Sequence, residues 1–178
     1  MFHLAELSLE NKINPADLPA DWHELTGYIK ITSDNIIKIF NPNPEFGQNV
    51  MTSLPMIVAE ELDVDWKKVV VEMGPHDNTK LGPQFTGGSN SVRMYWKPLR
   101  DAGAAARSML LTAAAQTWSV PVEELTTKAG MIYHEKTGKS GTYGEFASKA
   151  AGIPIPKDVK LKDVKNFTVV RNSQKNVE

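Results

Sequence analysis

One stretch constrains the fold more than any other: Ser91 to Trp118 reads as one long helix. Within it, Ala102-Gly103-Ala104-Ala105-Ala106 has almost no side-chain bulk, so another backbone can approach it closely. Pro98 marks either a bend or the true first turn. A second helical pattern runs from Gln48 to Leu62. Val50, Leu54, Ile57, Val58 and Leu62 recur there at three- and four-residue steps, and Glu60, Glu61 and Asp63 form the charged face. Pro55 removes one backbone donor inside this stretch, which predicts a kink or a late start. Tyr143 to Ala151 reads as a third, short helix.

Between these helices lie strand signals. Gly27 to Thr32 and Asn35 to Phe40 are rich in β-branched and aromatic residues, and Ser33-Asp34 supplies turn chemistry, so the pair predicts a β-hairpin. Trp66 to Met73 is a further strand around Val69, Val70 and Val71. Two more, Leu125 to Thr127 and Met131 to His134, flank a turn at Lys128-Ala129-Gly130, and Thr137 to Gly141 reads as another turn. These elements define an α+β fold, a small mixed or antiparallel sheet with two main helices packed on it. Residues 1–25 read as a lead-in, 26–155 as the folded unit, and 156–178, after Pro154 and Pro156, as an interdomain linker.

Charge and composition exclude several functions. Twenty basic and 21 acidic side chains leave a net charge of −1, which argues against whole-chain affinity for nucleic acid. The lysines at 157, 160, 162 and 165 are interrupted by Asp158 and Asp163 and read as a solvated linker. No apolar run approaches the ~20 residues of a membrane span. The chain has no cysteine, so thiol nucleophiles and Cys-ligated metals are absent. His3, His23, His76 and His134 lack ligand spacing and read as ordinary surface or loop histidines. Gly138-Lys139-Ser140 resembles the end of a phosphate-binding loop, but the glycine needed five residues earlier is Tyr133, so it reads as a hairpin turn. No serine lies in a nucleophile elbow, and Glu60-Glu61 has no polarising partner nearby in sequence.

Two loops remain. Asn41 to Asn49 is stiffened by Pro42 and Pro44 and empties into a helix N-terminus, where free N–H groups suit anionic oxygens; Gln48 adds a neutral donor and acceptor. Taken alone it is also an ordinary helix entry. Gly74 to Asn90 holds six glycines and prolines and ends in Gln84-Phe85-Thr86-Gly87-Gly88-Ser89-Asn90-Ser91. Its glycines permit close approach of a ligand and its hydroxyls offer hydrogen bonds, though a Ser N-cap after a flexible loop has the same appearance. Two such loops in one short chain point towards a binding site for a polar cofactor, including one with a diphosphate.

Asn43-Pro44-Glu45-Phe46-Gly47-Gln48, the run from Thr52 to Trp66, Thr86 to Ser91, Leu99 to Arg107 and Lys160 to Phe167 together resemble the large (beta) subunit of isoquinoline 1-oxidoreductase. Such subunits are molybdenum hydroxylases of the xanthine dehydrogenase and aldehyde oxidase superfamily. The likeness runs from about Pro19 to the C-terminus. It implies that residues 26–155 are part of a molybdopterin-binding domain, with the cofactor in its cytosine dinucleotide form. Gly47 and Gln48 would correspond to the superfamily's Gly-Gln-Gly cofactor loop, and Thr86, Gly87, Gly88, Ser89 and Ser91 to its pterin and phosphate loop. The third position of the first motif is Asn49, which departs from glycine. The catalytic glutamate of the family lies in a later motif that this sequence does not contain. The resemblance therefore implies an N-terminal piece of a longer oxidoreductase that hydroxylates an N-heterocycle or aldehyde with oxygen from water. Its partners would be the remainder of its own subunit and a small iron–sulfur subunit, in the periplasm. Alone, the piece would be inactive and without cofactor. Its Ala102–Ala106 face would await the remainder and promote self-association. The alternative is a non-catalytic binding or scaffold domain with the family shape.

Overall fold

The structure, a computed structural model, describes residues 21–174 and 176; most of the lead-in expected over 1–25 lies outside the described residues. The expected hairpin forms from β2 (Ile29–Ile31) and β3 (Ile37–Asn41), with Ile29 opposite Ile39 and Ile31 opposite Ile37. All four isoleucines are fully buried on one face, as the two-residue period of a half-covered sheet requires. The turn is longer than Ser33-Asp34: Thr32 N–H donates to Ile36 O, and Asn35 adopts a left-handed φ of 63°. Outside β2 lies β1 (His23–Thr26), part of which the sequence placed in the lead-in.

The chain leaves β3, crosses through α1 (Val50–Leu62) and returns as β4 (Val69–Met73), parallel to β3. A parallel neighbour cannot be reached by a hairpin, so a crossover of this kind is obligatory. The result is a mixed four-stranded sheet in the order β1-β2-β3-β4. After a four-residue α2 (Asn78–Leu81), the long α3 (Ser91–Trp118) forms over the whole predicted range and passes through Pro98. Pro55 likewise lies inside α1, which starts at Val50.

A second, antiparallel sheet follows, made of β5 (Thr126–Lys128), β6 (Met131–His134) and β7 (Lys139–Thr142). Here the reading of Thr137–Gly141 as a turn is corrected. The turn occupies 135–138, with Gly138 left-handed, and Lys139 and Ser140 pair on β7. His134 is not a surface histidine either. It is buried on β6, its ring nitrogens 2.8 Å from Glu124 Oε2 and 2.7 Å from Thr137 Oγ1. Next, α4 (Tyr143–Ala151) opens on a capping box between Thr142 and Glu145, and the buried Tyr143 hydroxyl donates to Leu62 O at 2.8 Å.

The small-residue face of α3 does not wait for an outside partner. Gly103, Ala104, Ala105 and Ala106 are buried within the chain, and a Cβ at 103 would lie 2.6 Å from Val58 O and 2.8 Å from Glu61 Cβ. The small side chains exist because α1 lies against them, and this removes the expected route to self-association.

The charged face of α1 is also corrected. Glu60 and Glu61 are 1% and 0% exposed. Glu60 Oε2 accepts the backbone N–H groups of Thr168 (2.9 Å), Val169 (2.6 Å) and Val170 (3.0 Å), and Oε1 accepts Lys162 Nζ at 2.9 Å. Glu61 is held by Arg100 Nε at 2.7 Å and by Lys162 N–H at 2.9 Å. The stretch expected as an interdomain linker thus packs on α3 through Arg107 and Lys160 O and on α1 from Lys162 to Val170, with Phe167 and Val169 buried. Burial pushes the Glu60 carboxyl up, but the N–H donors and Lys162 outweigh it, and the net displacement is downward from the usual 4.5.

Two outcomes are expected. Gly103→Ala removes a helix-destabilising residue yet overpacks the α1 contact, so it lowers unfolding free energy by ~1–3 kcal/mol in urea titrations; a gain of about 1 kcal/mol, the ordinary helix-interior effect, contradicts the packing. Glu60→Gln leaves buried donors and Lys162 short of charge and costs ~3–5 kcal/mol at pH 7. Because the folded carboxyl titrates below its unfolded value, its contribution is full above the unfolded value. It fades as pH falls through the folded one, so the difference between wild type and variant narrows below pH 4.5. Parallel stability–pH curves for the two proteins count against this assignment.

Candidate functional site

Parallel pairing of β3 and β4 decides where the two loops lie. Asn41, at the end of β3, is opposite Met73, at the end of β4, so the loops 41–49 and 74–90 leave the sheet at the same end. Crevices at the carboxyl ends of parallel strands are the usual place for ligands in such sheets. Gly74 N–H donates to Asn41 O at 2.9 Å and begins to tie the loops together. Asn43 Nδ2 donates to both Phe85 O and Ser91 Oγ at 2.9 Å, and Thr86 Oγ1 donates to Pro44 O at 2.8 Å.

The second loop is pinned along its length. Gln84 bridges Gly74 O and Asp77 N–H, and the Tyr95 hydroxyl lies within hydrogen-bond distance of Leu81 O and Pro83 O. Burial pushes the Tyr95 hydroxyl up from its ordinary value, so it remains a neutral donor.

The sequence-selected residues occupy different positions within this arrangement. Gly47 has φ 96°, and a Cβ there would meet nothing within 4 Å. Gln48 is exposed, with its carboxamide folded onto its own loop: Oε1 accepts Phe46 N–H at 2.6 Å and Nε2 donates to Pro44 O at 3.0 Å. Thr86 and Ser91 are engaged with Pro44 and Asn43 as above. Gly87 lies under the exposed Phe85 ring, which would have to swing aside for a Cβ that otherwise approaches it to 2.5 Å. Gly88 and Ser89 form an exposed turn with φ 59° and 55°.

Four N–H groups leading into α1, three in the loop and that of Met51 in the first turn, are not free for an anion, as the loop pattern had suggested. The Glu45 carboxylate accepts those of Gly47, Gln48, Asn49 and Met51 at 2.7–3.0 Å. Desolvation pushes this carboxyl up, but the four donors outweigh it and hold it down at about 2.

Sequence reasoning passed over Asn41 and Asn43 as site residues. Both are fully buried, and the Oδ1 atom of each has no hydrogen-bond partner among the described residues. An alternating Asn-Pro run signals a rigid loop, whereas burial of its amides becomes visible only once the second loop covers it. On the two loops two large apolar side chains are exposed, Phe46 at 76% and Phe85 at 66%. An open groove of about 790 Å³ between α3 and residues 160–166 contains no residue of either loop. Among the described residues no three metal-ligating side chains converge, and no helix is long and apolar enough to cross a membrane.

A mixed sheet whose parallel pair presents two joined polar loops is the frame on which the comparisons with known proteins bear. The chain belongs to the molybdopterin cofactor-binding domain family, whose pattern it matches over residues 10–177. It is 39% identical over 135 residues to the beta subunit of isoquinoline 1-oxidoreductase from Brevundimonas diminuta, covering 72% of this chain and 17% of that protein. It is 34% identical over 152 residues to a membrane-bound aldehyde dehydrogenase [pyrroloquinoline-quinone] of Gluconacetobacter polyoxogenes, covering 84% of this chain and 19% of the relative. The chain thus spans less than a fifth of the length of either. Quinoline 2-oxidoreductase from Pseudomonas putida 86 shares the fold over 71% of this chain and 16% of its own, with a TM-score of 0.56 and 17% identity.

The residues present fit a molybdopterin. The donor set is neutral and hydrogen-bonding, Gly47 leaves open space, Gly88 and Ser89 expose backbone, and two buried amide oxygens lack donors. Because Asn43 joins the loops, Asn43→Ala is expected to cost ~1–3 kcal/mol of stability by stranding its partners. It should also raise amide exchange at Phe85–Ser91, read by mass spectrometry. Unchanged exchange there would show that the loops hold together without it.

Proposed function

We propose that this chain supplies one wall of the molybdopterin site in the large subunit of a molybdenum hydroxylase that oxidises an N-heterocycle or an aldehyde. The observation that carries the reading is the meeting of the two loops at one end of the parallel strand pair, in a member of a molybdopterin-binding family. When bound, the molybdenum cofactor, in its cytosine dinucleotide form, would supply the oxidative chemistry, with oxygen from water. The part of this chain is to bind and orient. Gln48 would turn its carboxamide from Phe46 and Pro44 to the cofactor. Thr86, Ser89 and Ser91, with the backbone of Gly47, Gly87 and Gly88, would hold pterin or phosphate oxygens.

The exposed Phe46 and Phe85 of the two loops then have a use. The rest of the large subunit would cover them and close the site to water, and a small iron–sulfur subunit would receive the electrons. Two relatives are themselves named as subunits, one of isoquinoline 1-oxidoreductase and one of nicotinate dehydrogenase, which supports membership of a complex.

One observation favours the second reading, a non-catalytic scaffold: the Gln48 and Thr86 side chains are already satisfied inside the loops. Cofactor analysis of the whole native subunit, alongside its Gln48→Ala variant, separates the two. Molybdenum stoichiometric with the wild-type chain and reduced in the variant is the expected result. No molybdenum, in cells whose other molybdoenzymes are loaded, establishes the scaffold. Pyrroloquinoline quinone in its place overturns the molybdopterin assignment.

A further inference from the structure

The loop that presents Gln48 contains two left-handed residues, Gly47 with φ 96° and Asn49 with φ 62°. Glycine adopts this region freely, whereas asparagine does so at a cost unless its surroundings favour it. Asn49 stands at the N-cap of α1, yet its side chain makes no cap hydrogen bond. The stabilising group lies four residues earlier. Glu45 Oε1 accepts the N–H groups of Gly47 (2.7 Å), Gln48 (2.7 Å) and Asn49 (3.0 Å), and Oε2 accepts that of Met51 (3.0 Å). Among the described residues no lysine, arginine or histidine pairs with this carboxylate, so its charge is balanced by the peptide dipoles and the start of α1 alone.

All four donors converge on one side chain, and Gln48 lies in the middle of them. The position of its carboxamide over Phe46 and Pro44 therefore follows from the backbone that Glu45 holds. We infer that Glu45 is the positioning residue of the Gln48 loop: its carboxylate, rather than a glycine at position 49, holds the turn from which Gln48 is presented. It also takes up the Met51 N–H in the first turn of α1 and the three N–H groups before it, so none of these four is open to an anionic part of a ligand. The consequence for cofactor loading rests on the function proposed above; the consequence for loop conformation does not.

The test is a set of variants in the full 178-residue chain and in the whole native subunit: Glu45→Gln, Glu45→Ala, Asn49→Gly and the Glu45→Ala, Asn49→Gly double variant. In the 178-residue chain, amide exchange followed by NMR at Gly47, Gln48, Asn49 and Met51 should rise about tenfold or more in Glu45→Ala, relative to the buried amides of α3. Glu45→Gln, which keeps the shape but not the charge, should fall between. Glycine at 49 should restore a large part of the protection lost in Glu45→Ala, because it removes the strain that the carboxylate offsets. Equal protection in wild type and Glu45→Ala overturns the inference, as does a double variant no better protected than Glu45→Ala. In the whole subunit, molybdenum content should fall in Glu45→Ala and recover in the double variant. A wild-type subunit without molybdenum overturns the proposed function and leaves the exchange result to decide the role of Glu45. A loaded wild type in which Gln48→Ala loses molybdenum and Glu45→Ala does not overturns the positioning role alone.

Discussion

Everything at the functional end of this molecule depends on the parallel pairing of β3 with β4. An antiparallel return would carry the chain back to the start of β3 and put its next loop at the opposite edge. A parallel return requires a crossover, and the crossover is α1, whose apolar residues also supply the core beneath the sheet. One constraint therefore places two polar loops side by side and lays a helix across the face behind them. The bond from Gly74 N–H to Asn41 O and the two bonds from Asn43 then fix the relation that the strand pairing set up.

The crossover helix is held by two unlike contacts. On one side, the bare surface at Gly103 lets α3 approach to backbone distance. Next to it, two buried carboxylates collect Arg100 of α3 together with Lys162 and a run of backbone N–H groups from the C-terminal segment. Buried charges of this kind give little net stability over an apolar replacement, since desolvation offsets much of their attraction. What they do give is a definite place for a segment with few apolar side chains of its own. Residues 160–170 have almost no regular secondary structure, and Glu60 takes the donors that a strand or helix would otherwise satisfy.

The candidate site follows the same logic of satisfaction and its exceptions. Glu45 takes up four N–H groups leading into α1, Asn43 joins the loops, and Tyr95 and Gln84 pin the second of them. Against this background the partnerless oxygens of Asn41 and Asn43 and the exposed Phe46 and Phe85 stand out as groups left for something else.

By itself the sequence determined the local elements and the chemistry of the loops. The β-branched runs on either side of Ser33-Asp34 specified the hairpin, the three- and four-residue steps specified α1, the run from Ser91 to Trp118 specified α3, and Tyr143 to Ala151 read as α4. These are consequences of periodicity, which acts over a few residues. Gly47, Gln48 and the 86–91 segment were legible too, since turn-forming and hydrogen-bonding residues declare themselves by type. Only the tertiary structure decided how these parts are used. It made β4 parallel, turned Glu60 and Glu61 inward, gave the Ala102–Ala106 face to α1, and committed four donors leading into α1 to Glu45. Each of those outcomes depends on a partner far away in the chain or on a side chain folding back, and a residue's type does not state which neighbour will satisfy it.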